Sequence, residues 1–417
     1  YAGWQMSRVL DQANAAQEKR SNPENEHYRE NYQVIAAINA DGFNMSNGTP
    51  SGILVMDGIE WNAPNANGFF GITNEGKAVI GTTQEYKTIY KGQIRDAVSG
   101  FGVRLVTDGK VTINVTDSYY TDRASRTAVG ITKTGKVVFM VLDGRQEPVS
   151  CGGSMIEIAQ IMLEAGCVDA INLDGGGSTT YVSKPEGADE LQVTNKPSDG
   201  YARNVSSSLI MVSTAPSSTA FDHAIIESDY NFATVGTEVQ LTAAGVSATG
   251  NVAEMPEGYT WAVADPAMAT VTQDGLFTGL QNGPVEVQLL LDEQIIGSKT
   301  INMVVPISIY FTRKNISAVY GSTITLPAAA LYEGKPVAIN AADMTLVADP
   351  VEAGVFEGFQ FTASETEIKN AMVTATLVAD ETITGSIVVN LYKQGENTFD
   401  FDKADGGDAQ LGWARTV

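Results

Sequence analysis

Histidine and cysteine are nearly absent from this chain of 417 residues, which has two of each. His27 lies in a polar loop, so a Ser-His-Asp or Cys-His catalytic arrangement is not expected. Cys151 and Cys167 flank a predicted helix over residues 154–165, whose ends would lie about 17 Å apart. A disulfide requires Cα atoms within about 7 Å. We therefore predict two reduced structural thiols, with Cys151 buried and Cys167 in the turn before a strand over residues 168–173.

Clustered basic residues and long apolar runs are also lacking. Lys and Arg number 26 against 49 Asp and Glu, a net charge of -23, which argues against a nucleic-acid partner. The longest wholly apolar runs are about six residues, far below the roughly 18 of a membrane helix, so no membrane-spanning segment is expected. The chain begins at Tyr1 and stops just after an apparent strand. We expect a piece of a larger exported protein, secreted or on the cell surface.

Three apolar runs each end in an Asp-Gly pair. Residues 37–42 read Ala-Ile-Asn-Ala-Asp-Gly, residues 170–175 read Ala-Ile-Asn-Leu-Asp-Gly, and the run 137–142 leads into Asp143, Gly144 and Arg145. These runs are typical of buried strands that end at turns. Residues two apart on a strand share a face, so Asn39 would accompany Asp41, and Asn172 would accompany Asp174. The pattern predicts a site built from carboxylates at strand ends.

Glycines and arginines next to these strands indicate an anionic ligand. Gly175, Gly176 and Gly177 have no Cβ, so their N–H groups could form an anion-binding nest. A nucleotide P-loop is excluded, because no Lys follows these glycines to reach the phosphates. Gly152 and Gly153 would form a second anion site at the start of the predicted helix. The planar guanidinium group suits phosphate, and three arginines adjoin predicted strands: Arg126, Arg145 and Arg203. Carboxylates beside such donors fit cleavage at a sugar C1 with phosphate as the leaving group.

Composition divides the chain at residues 213–219, a linker of small residues that contains Pro216. Beyond it, short alternating runs with frequent turn signals predict all-β sandwiches and no helix of any length. A second seam falls near residues 305–306. We predict a catalytic domain over residues 1–214, sandwiches over 220–305 and 306–395, and the start of a further module over 396–417.

Residues 1–214 resemble the phosphodiester glycosidase family. The resemblance rests on blocks at residues 36–40 with Phe43, 126–130, 143–145 and 172–178, and on Arg203 with residues 205–206. It implies hydrolysis of a sugar-1-phosphodiester, with site residues Asn39, Arg126, Asp143, Arg145, Asn172, Asp174 and the following glycines. The chain departs from the family pattern at Asp41 and Gly42. Residues 220–305 resemble bacterial immunoglobulin-like modules, on Trp261 and the segments 265–271 and 274–280, and Trp261 is expected to be a core aromatic.

The expected fold is therefore an α+β catalytic domain with a mixed sheet, followed by all-β immunoglobulin-like sandwiches. Asp174 is the leading catalytic carboxylate, with Asp143 or Glu157 as the partner acid or base. Asp143 could instead only hold Arg145 or Arg126, and Glu157 could close a capping box with Ser154. The residues expected to bind substrate or phosphate are Asn39, Asp41, Arg126, Arg145, Gly152, Gly153, Asn172, Gly175, Gly176, Gly177, Ser178 and Arg203.

No cofactor is expected, although Asp174, Asp143 and Asp41 together could hold Ca²⁺ or Mg²⁺. The aspartates of the tail, from Asp400 to Asp408, do not have EF-hand spacing. The expected partner is a glycan or sugar-phosphate substrate, such as a cell-wall or surface polysaccharide. Two alternatives stay open: a non-catalytic glycan-binding adhesin, and a transferase that processes exopolysaccharide with the same site.

Overall fold

The computed structural model describes residues 5–113, 118–147 and 150–393, so the further module predicted over 396–417 lies outside the described residues. The chain divides into two compact units. One comprises residues 1–223 and 244–255, and the other comprises residues 224–243 and 256–417. In both units the regular secondary structure is mostly β-strand.

Short helices accompany the strands of the first unit. The α-helices are α1 (Val9–Ser21), α2 (Thr83–Glu85), α3 (Ser118–Thr121) and α4 (Met155–Glu164). A π-helical turn spans Tyr86–Tyr90, and a 3₁₀ turn spans Gly176–Ser178. The strands up to residue 213 are β1 (Gln33–Asn39), β2 (Leu54–Met56), β3 (Ile59–Asn62), β4 (Phe69–Thr73), β5 (Ala78–Gly81), β6 (Ile94–Ser99), β7 (Arg104–Thr107), β8 (Lys110–Val111), β9 (Arg126–Thr132), β10 (Val137–Leu142), β11 (Cys167–Asn172), β12 (Tyr181–Ser183), β13 (Gln192–Val193) and β14 (Ser208–Ser213).

These strands form three sheets, with the orders β13-β12-β1-β14, β10-β9-β11-β7-β8 and β3-β2-β6-β4-β5. Among the described strands of this region, every pairing is antiparallel. The mixed sheet expected from the sequence is therefore not confirmed. The physical reason is the short connections: β2–β3, β4–β5, β7–β8 and β9–β10 are hairpins, which can join strands only in antiparallel fashion.

The core lies between the three sheets, where one apolar cluster includes Ile38, Leu54, Phe70, Val129 and Ile171. The two longer helices cover the outer faces. Helix α1 packs against β1 and β12 through Val9 and Ala13, and α4 packs against β7, β9 and β11 through four buried residues at helical spacing, Met155, Ile158, Ala159 and Met162. Because β1 and β11 both border this core, their ends are held close together.

The strands after residue 219 fall into two consecutive sets of ten. The first set is β15 (Phe221–Glu227), β16 (Phe232–Ala233), β17 (Glu238–Gln240), β18 (Thr242–Ser247), β19 (Val252–Ala253), β20 (Thr260–Val263), β21 (Ala269–Val271), β22 (Leu276–Gly279), β23 (Gly283–Leu291) and β24 (Gln294–Met303). The second is β25 (Ser308–Phe311), β26 (Asn315–Val319), β27 (Thr323–Thr325), β28 (Ala328–Tyr332), β29 (Lys335–Val337), β30 (Met344–Asp349), β31 (Gly354–Glu357), β32 (Gln360–Ala363), β33 (Asn370–Leu377) and β34 (Asp380–Tyr392).

The two sets share one strand order. Sheets β15-β18-β19, β16-β24-β23-β20 and β17-β22-β21 recur ten strands later as β25-β28-β29, β26-β34-β33-β30 and β27-β32-β31. Between residues 214 and 393 the described helical segments are two 3₁₀ turns, Ala341–Asp343 and Val351–Ala353. Trp261 on β20 is 6% exposed, which confirms its expected place in a core. The modules fit immunoglobulin-like sandwiches, and the boundaries of 220–305 and 306–395 stay a prediction.

Both cysteines are free thiols, as predicted. Cys167 is buried as the first residue of β11. The expectation of a buried Cys151 is wrong, because this residue is exposed and its Sγ lies 3.1 Å from Nη1 of Arg123. Within the described ranges, the helices are too short or too polar to cross a membrane.

Candidate active site

The ends of β1 and β11 are joined by the side chain of Asn39. Its Nδ2 donates to the carbonyl oxygen of Asp174 at 2.7 Å, and its Oδ1 accepts from Oγ1 of Thr127 at 2.8 Å and from the N–H of Thr180 at 3.1 Å. The N–H of Asp174 donates to the carbonyl of Ala40 at 2.9 Å. Asn39 is 1% exposed. Its amide therefore fixes the two strand ends relative to each other.

Asn172 occupies the matching place at the end of β11 and is also 1% exposed. Its Nδ2 donates to the carbonyl oxygens of Phe101 and Leu173, at 2.5 Å and 2.7 Å. Its Oδ1 is buried and has no hydrogen-bond partner among the described residues. The amide group thus orients the backbone immediately before Asp174 and keeps one acceptor unused.

Asp41 is a buried carboxyl group, 2% exposed, at the end of β1. Its Oδ2 accepts the N–H of Gly52 at 2.7 Å, and its Oδ1 has no partner among the described residues. Burial, together with the negative charge of Asp174, raises the pKa of Asp41 to about 8, against the opposing effect of that hydrogen bond. Asp41 and Asp174 therefore act on each other electrostatically.

Asp174 is less deeply buried and follows β11 directly. Burial raises its pKa to about 6, while the Ser178 hydroxyl, the N–H of Gly175 and the charge of Arg203 oppose that rise. At pH 7 the two carboxyl groups consequently differ: Asp174 is mostly ionised and Asp41 is mostly protonated. Two coupled acids with separated pKa values are a common arrangement in active sites.

Gly175, Gly176 and Gly177 follow Asp174 and are called the glycine turn. Two arginines from different loops approach this turn. A Cβ on Gly176 would lie 3.6 Å from Nη1 of Arg145, whose side chain is exposed and makes no ion pair with a described residue. At Gly177, a Cβ would collide with Nη2 of Arg203. These glycines give the guanidinium groups room to approach the turn.

Arg126 is placed differently from the other two arginines. It is 5% exposed, its Nε donates to the carbonyl of Gly153 at 3.0 Å, and its Nη2 donates to the carbonyl of Asp122 at 2.7 Å. Its Cδ lies near Gly175. Arg126 thus supports the glycine turn from the interior, where it ties together three loops.

The backbone of the glycine turn is partly satisfied by the protein itself. The N–H of Gly176 donates to the carbonyl of Ser125 at 2.9 Å, and the Ser125 hydroxyl donates to the carbonyl of Gly176 at 2.8 Å. The sequence predicts a second anion site at Gly152 and Gly153. The N–H of Gly152 donates to Ser150 Oγ and the N–H of Gly153 donates to the carbonyl of Ala124, so both donors are already used within the protein.

Asp143 does not pair with either arginine proposed from the sequence. Its Oδ1 accepts from Nδ2 of Asn195 at 2.8 Å, and its Oδ2 accepts from the N–H of Lys196 at 3.0 Å. The carboxylate therefore anchors the segment that begins at residue 195. Its place at the end of β10 is as predicted, but its partners come from a distant loop.

Glu157 closes the capping box of α4. Its Oε2 accepts from the N–H and Oγ of Ser154, at 2.8 Å and 2.9 Å, and its Oε1 pairs with Arg123. The backbone hydrogen bond from Ser154 is the main reason why the pKa of Glu157 is lowered. A lowered pKa suits a structural anion and opposes a role as general acid.

The comparisons with known proteins bear on the first unit. Residues 32–212 match the family model described as phosphodiester glycosidase. This part of the chain, somewhat less than half of it, is similar to that family. The matched range contains both strand ends, the glycine turn and all three arginines.

Proteins similar to this part of the chain include the N-acetylglucosamine-1-phosphodiester alpha-N-acetylglucosaminidase of Mus musculus, 31% identical over 163 residues, which are 35% of this chain and 31% of that protein. A prophage-derived uncharacterized protein of Bacillus subtilis is 31% identical over 181 residues, covering 41% of this chain and 27% of its own. The matches thus span less than a third of these relatives. A solved structure of the zebrafish catalytic domain of the same enzyme, auto-inhibited by pro-peptide, has a TM-score of 0.40 at 23% identity and covers 50% of this chain and 68% of its own.

No group of three or more His, Cys, Asp or Glu side chains in the described ranges is arranged to hold a metal ion. The cluster of Asp174, Asp143 and Asp41 considered from the sequence does not form as a set, because Asp143 is bound to the loop at residues 195–196. The aspartates from Asp400 to Asp408 lie outside the described residues.

A cavity of about 990 Å³ lies in the first unit beside β14, lined by residues of α1, β2 and β6. Ser207 is part of its lining, and Ser207 Oγ accepts the N–H of Asp41 at 3.3 Å. The carboxylates and arginines of the site do not line this cavity. We therefore base the site on the strand ends and the glycine turn.

Sequence reasoning missed the residues that hold the site together. Asp199 pairs with Arg203, and Asn195 binds Asp143. Both lie in a polar stretch rich in turn residues, where an Asp or Asn is usually only a turn former. The four-residue spacing of Asp199 and Arg203 was the available signal, although outside a helix such spacing has no fixed geometry.

Proposed function

We propose that the protein hydrolyses a glycosyl-1-phosphodiester in a glycan, with Asp174 as the catalytic carboxylate. The observation that carries the proposal is the approach of Arg145 and Arg203, from separate loops, to the glycine turn that follows Asp174. Guanidinium groups are suited to hold a phosphate, and an ionised carboxylate beside them is suited to act at the attached sugar carbon. The match of residues 32–212 to the phosphodiester glycosidase family model supports this reaction type.

The leaving group simplifies the chemistry that the site must supply. A phosphate monoester leaves as a stable anion, so it does not need the proton that a sugar hydroxyl leaving group takes from a general acid. Asp174 would attack the sugar C1 or activate a water molecule, while Arg145 and Arg203 stabilise the charge that develops on phosphate. This account does not require Asp143 or Glu157 as a partner acid, and both are engaged elsewhere.

Asp41 would contribute through its protonation state. While it is neutral at pH 7, the site carries the single negative charge of Asp174 next to an anionic substrate. Ionisation of Asp41 would add a second negative charge and repel the phosphate. Asn39 and Asn172 would act by positioning, since their amide groups hold the backbone on which Asp41 and Asp174 are carried.

We infer that the sandwiches space the domain from a surface and that the protein works outside the cytoplasm. The support is their fit to immunoglobulin-like modules, which commonly display a neighbouring domain. The substrate would then be a surface or cell-wall glycan that contains sugar-1-phosphodiester links.

The test is release of free sugar from a panel of sugar-1-phosphodiesters by the wild type, Asp174→Asn and the control Asp169→Asn. Asp169 lies near the start of the same strand, at the end away from the glycine turn, and pairs with Arg104. We expect turnover by the wild type and the control, with and without chelator, and none by Asp174→Asn. Equal binding of a glycan array by all three proteins without any sugar release would contradict hydrolysis and favour the adhesin.

A further inference from the structure

Arg203 is held by Asp199 along one edge of its guanidinium group. Nε and Nη2 of Arg203 both donate to Oδ2 of Asp199, at 2.9 Å and 2.7 Å. Nη1 makes no hydrogen bond to a described residue. The opposite edge of the guanidinium group therefore keeps donors for another anion.

The ion pair lies directly against the glycine turn. A side chain at Gly177 would collide with Nη2 of Arg203 and with both carboxylate oxygens of Asp199. The side chains of Arg203 and Asp199 are 29% and 24% exposed, so the ion pair lies at the surface and is partly covered. Surface ion pairs add little stability, so a stabilising role alone does not account for placing this pair beside the turn.

The segment that carries Asp199 is itself fixed to the domain. Asp143 binds Asn195 and the N–H of Lys196, as described above, and the Lys196 carbonyl accepts from Nε2 of Gln146 at 2.6 Å. Next to Asp199, the hydroxyl oxygens of Ser198 and Ser125 lie within hydrogen-bonding distance of each other, at 3.2 Å. Asp199 thus stands on an anchored loop, whereas the long Arg203 side chain would otherwise be free to adopt many rotamers.

We infer that Asp199 is a positioning residue, which orients Arg203 so that its unused edge receives the phosphate of the substrate. The phosphate as ligand rests on the proposed function. Pre-orientation removes the entropy that Arg203 would lose on binding, so the effect is expected on phosphate affinity and on KM more than on kcat.

The experiment uses the full chain and compares Asp199→Ala, Asp199→Asn, Arg203→Gln and the double variant Asp199→Ala with Arg203→Gln. The control is Asp11→Ala, which breaks the more exposed pair of Arg8 and Asp11, three residues apart. Two quantities are measured: the Kd of inorganic phosphate by calorimetry, and the kcat and KM for a sugar-1-phosphodiester.

We expect Asp199→Ala to weaken phosphate binding and raise KM by about tenfold, as for loss of one charge-assisted contact, while kcat changes by less than about threefold. Asp199→Asn should recover most of the affinity, because its amide oxygen can still accept from Arg203. In the Arg203→Gln background, removal of Asp199 should have no further effect, because Asp199 acts only through Arg203. Asp11→Ala should bind phosphate like the wild type.

Unchanged phosphate affinity in Asp199→Ala would overturn the inference, and so would independent, multiplying losses in the double variant or a wild type that binds no phosphate. If Asp199→Ala does not fold, Asp199→Ser removes the same contact with a shorter polar side chain. Absence of turnover in every protein would refute the proposed function, yet phosphate binding that still depends on Asp199 would uphold the inference.

Discussion

At the scale of single residues, the pH dependence of the activity should be set by two carboxyl groups with different pKa values. Asp174, with a pKa of about 6, must be ionised to act, so kcat/KM should rise as the pH increases through this value. Asp41, with a pKa of about 8, should lower kcat/KM when it ionises and repels the phosphate. The predicted profile is bell-shaped with a maximum near pH 7.

The matched variant for this profile is Asp41→Asn, which cannot ionise. Its remaining activity should lack the decline above pH 8 and keep the decline below pH 6. An alkaline decline that persists in Asp41→Asn would show that a different group titrates there.

Gly177 provides a second residue-scale prediction. Gly177→Ala should reduce kcat/KM by about 10²-fold, because the new methyl group displaces Arg203 and Asp199 from the turn. Steady-state kinetics measures the effect, with Gly92→Ala as the control. A Cβ at Gly92 meets no atom within 4 Å, but the φ of +81° strains an alanine there, so that variant should lose some stability and keep its activity. Normal kinetics in Gly177→Ala would mean that the two side chains are not needed where they lie.

The ends of the strands could be predicted from the sequence because their signals are local. Apolar runs followed by Asp-Gly fixed β10 at 137–142 and located Asp41, Asp143 and Asp174 at turns. The partners of the long or polar side chains could not be predicted in this way. Asp143 binds Asn195, which is 52 positions away in the chain, and only the folded loops bring the two together.

At the scale of elements, substitution of Glu157 tests whether this residue caps α4 or acts as a catalytic acid. Glu157→Ala should lower the free energy of unfolding by about 1 kcal/mol, because it removes one half of the capping box of α4. The kcat should stay within about twofold of the wild type, since the account gives Glu157 no catalytic step. Denaturant unfolding and steady-state kinetics measure the two effects.

Glu164→Ala, at the opposite end of α4, is the control for a charge lost from the same helix. It should change neither stability nor kcat appreciably. Loss of activity in Glu157→Ala with normal stability would restore Glu157 as a catalytic candidate.

The secondary structure also shows which features local sequence patterns can predict and which they cannot. The capping box and the apolar spacing of Met155, Ile158 and Met162 were enough to predict α4 to within one residue at each end. Sheet pairing was not predictable from the same kind of evidence. A buried strand in an antiparallel sheet can be apolar on both faces when helices or other sheets cover it. Its sequence then resembles that of a strand in a parallel sheet.

At the scale of the whole molecule, the sandwiches should contribute little to the chemical step. Deletion of residues 306–417 should leave kcat/KM for a small sugar-1-phosphodiester within about twofold, because these residues belong to the second compact unit and the candidate site lies in the first. Turnover of a surface-attached glycan should fall if these modules act as spacers. A large loss with the small substrate would contradict a spacer role.

The most direct test of the central claim compares kcat for a sugar-1-phosphodiester between Asp174→Asn and Asp143→Asn. Both substitutions remove a carboxylate that follows a strand end, but only Asp174 precedes the glycine turn with its two arginines. We expect Asp174→Asn to lose about 10³-fold or more in kcat, and Asp143→Asn to stay within about tenfold with a raised KM. Full activity in Asp174→Asn, or an equal loss in both variants, would contradict the account.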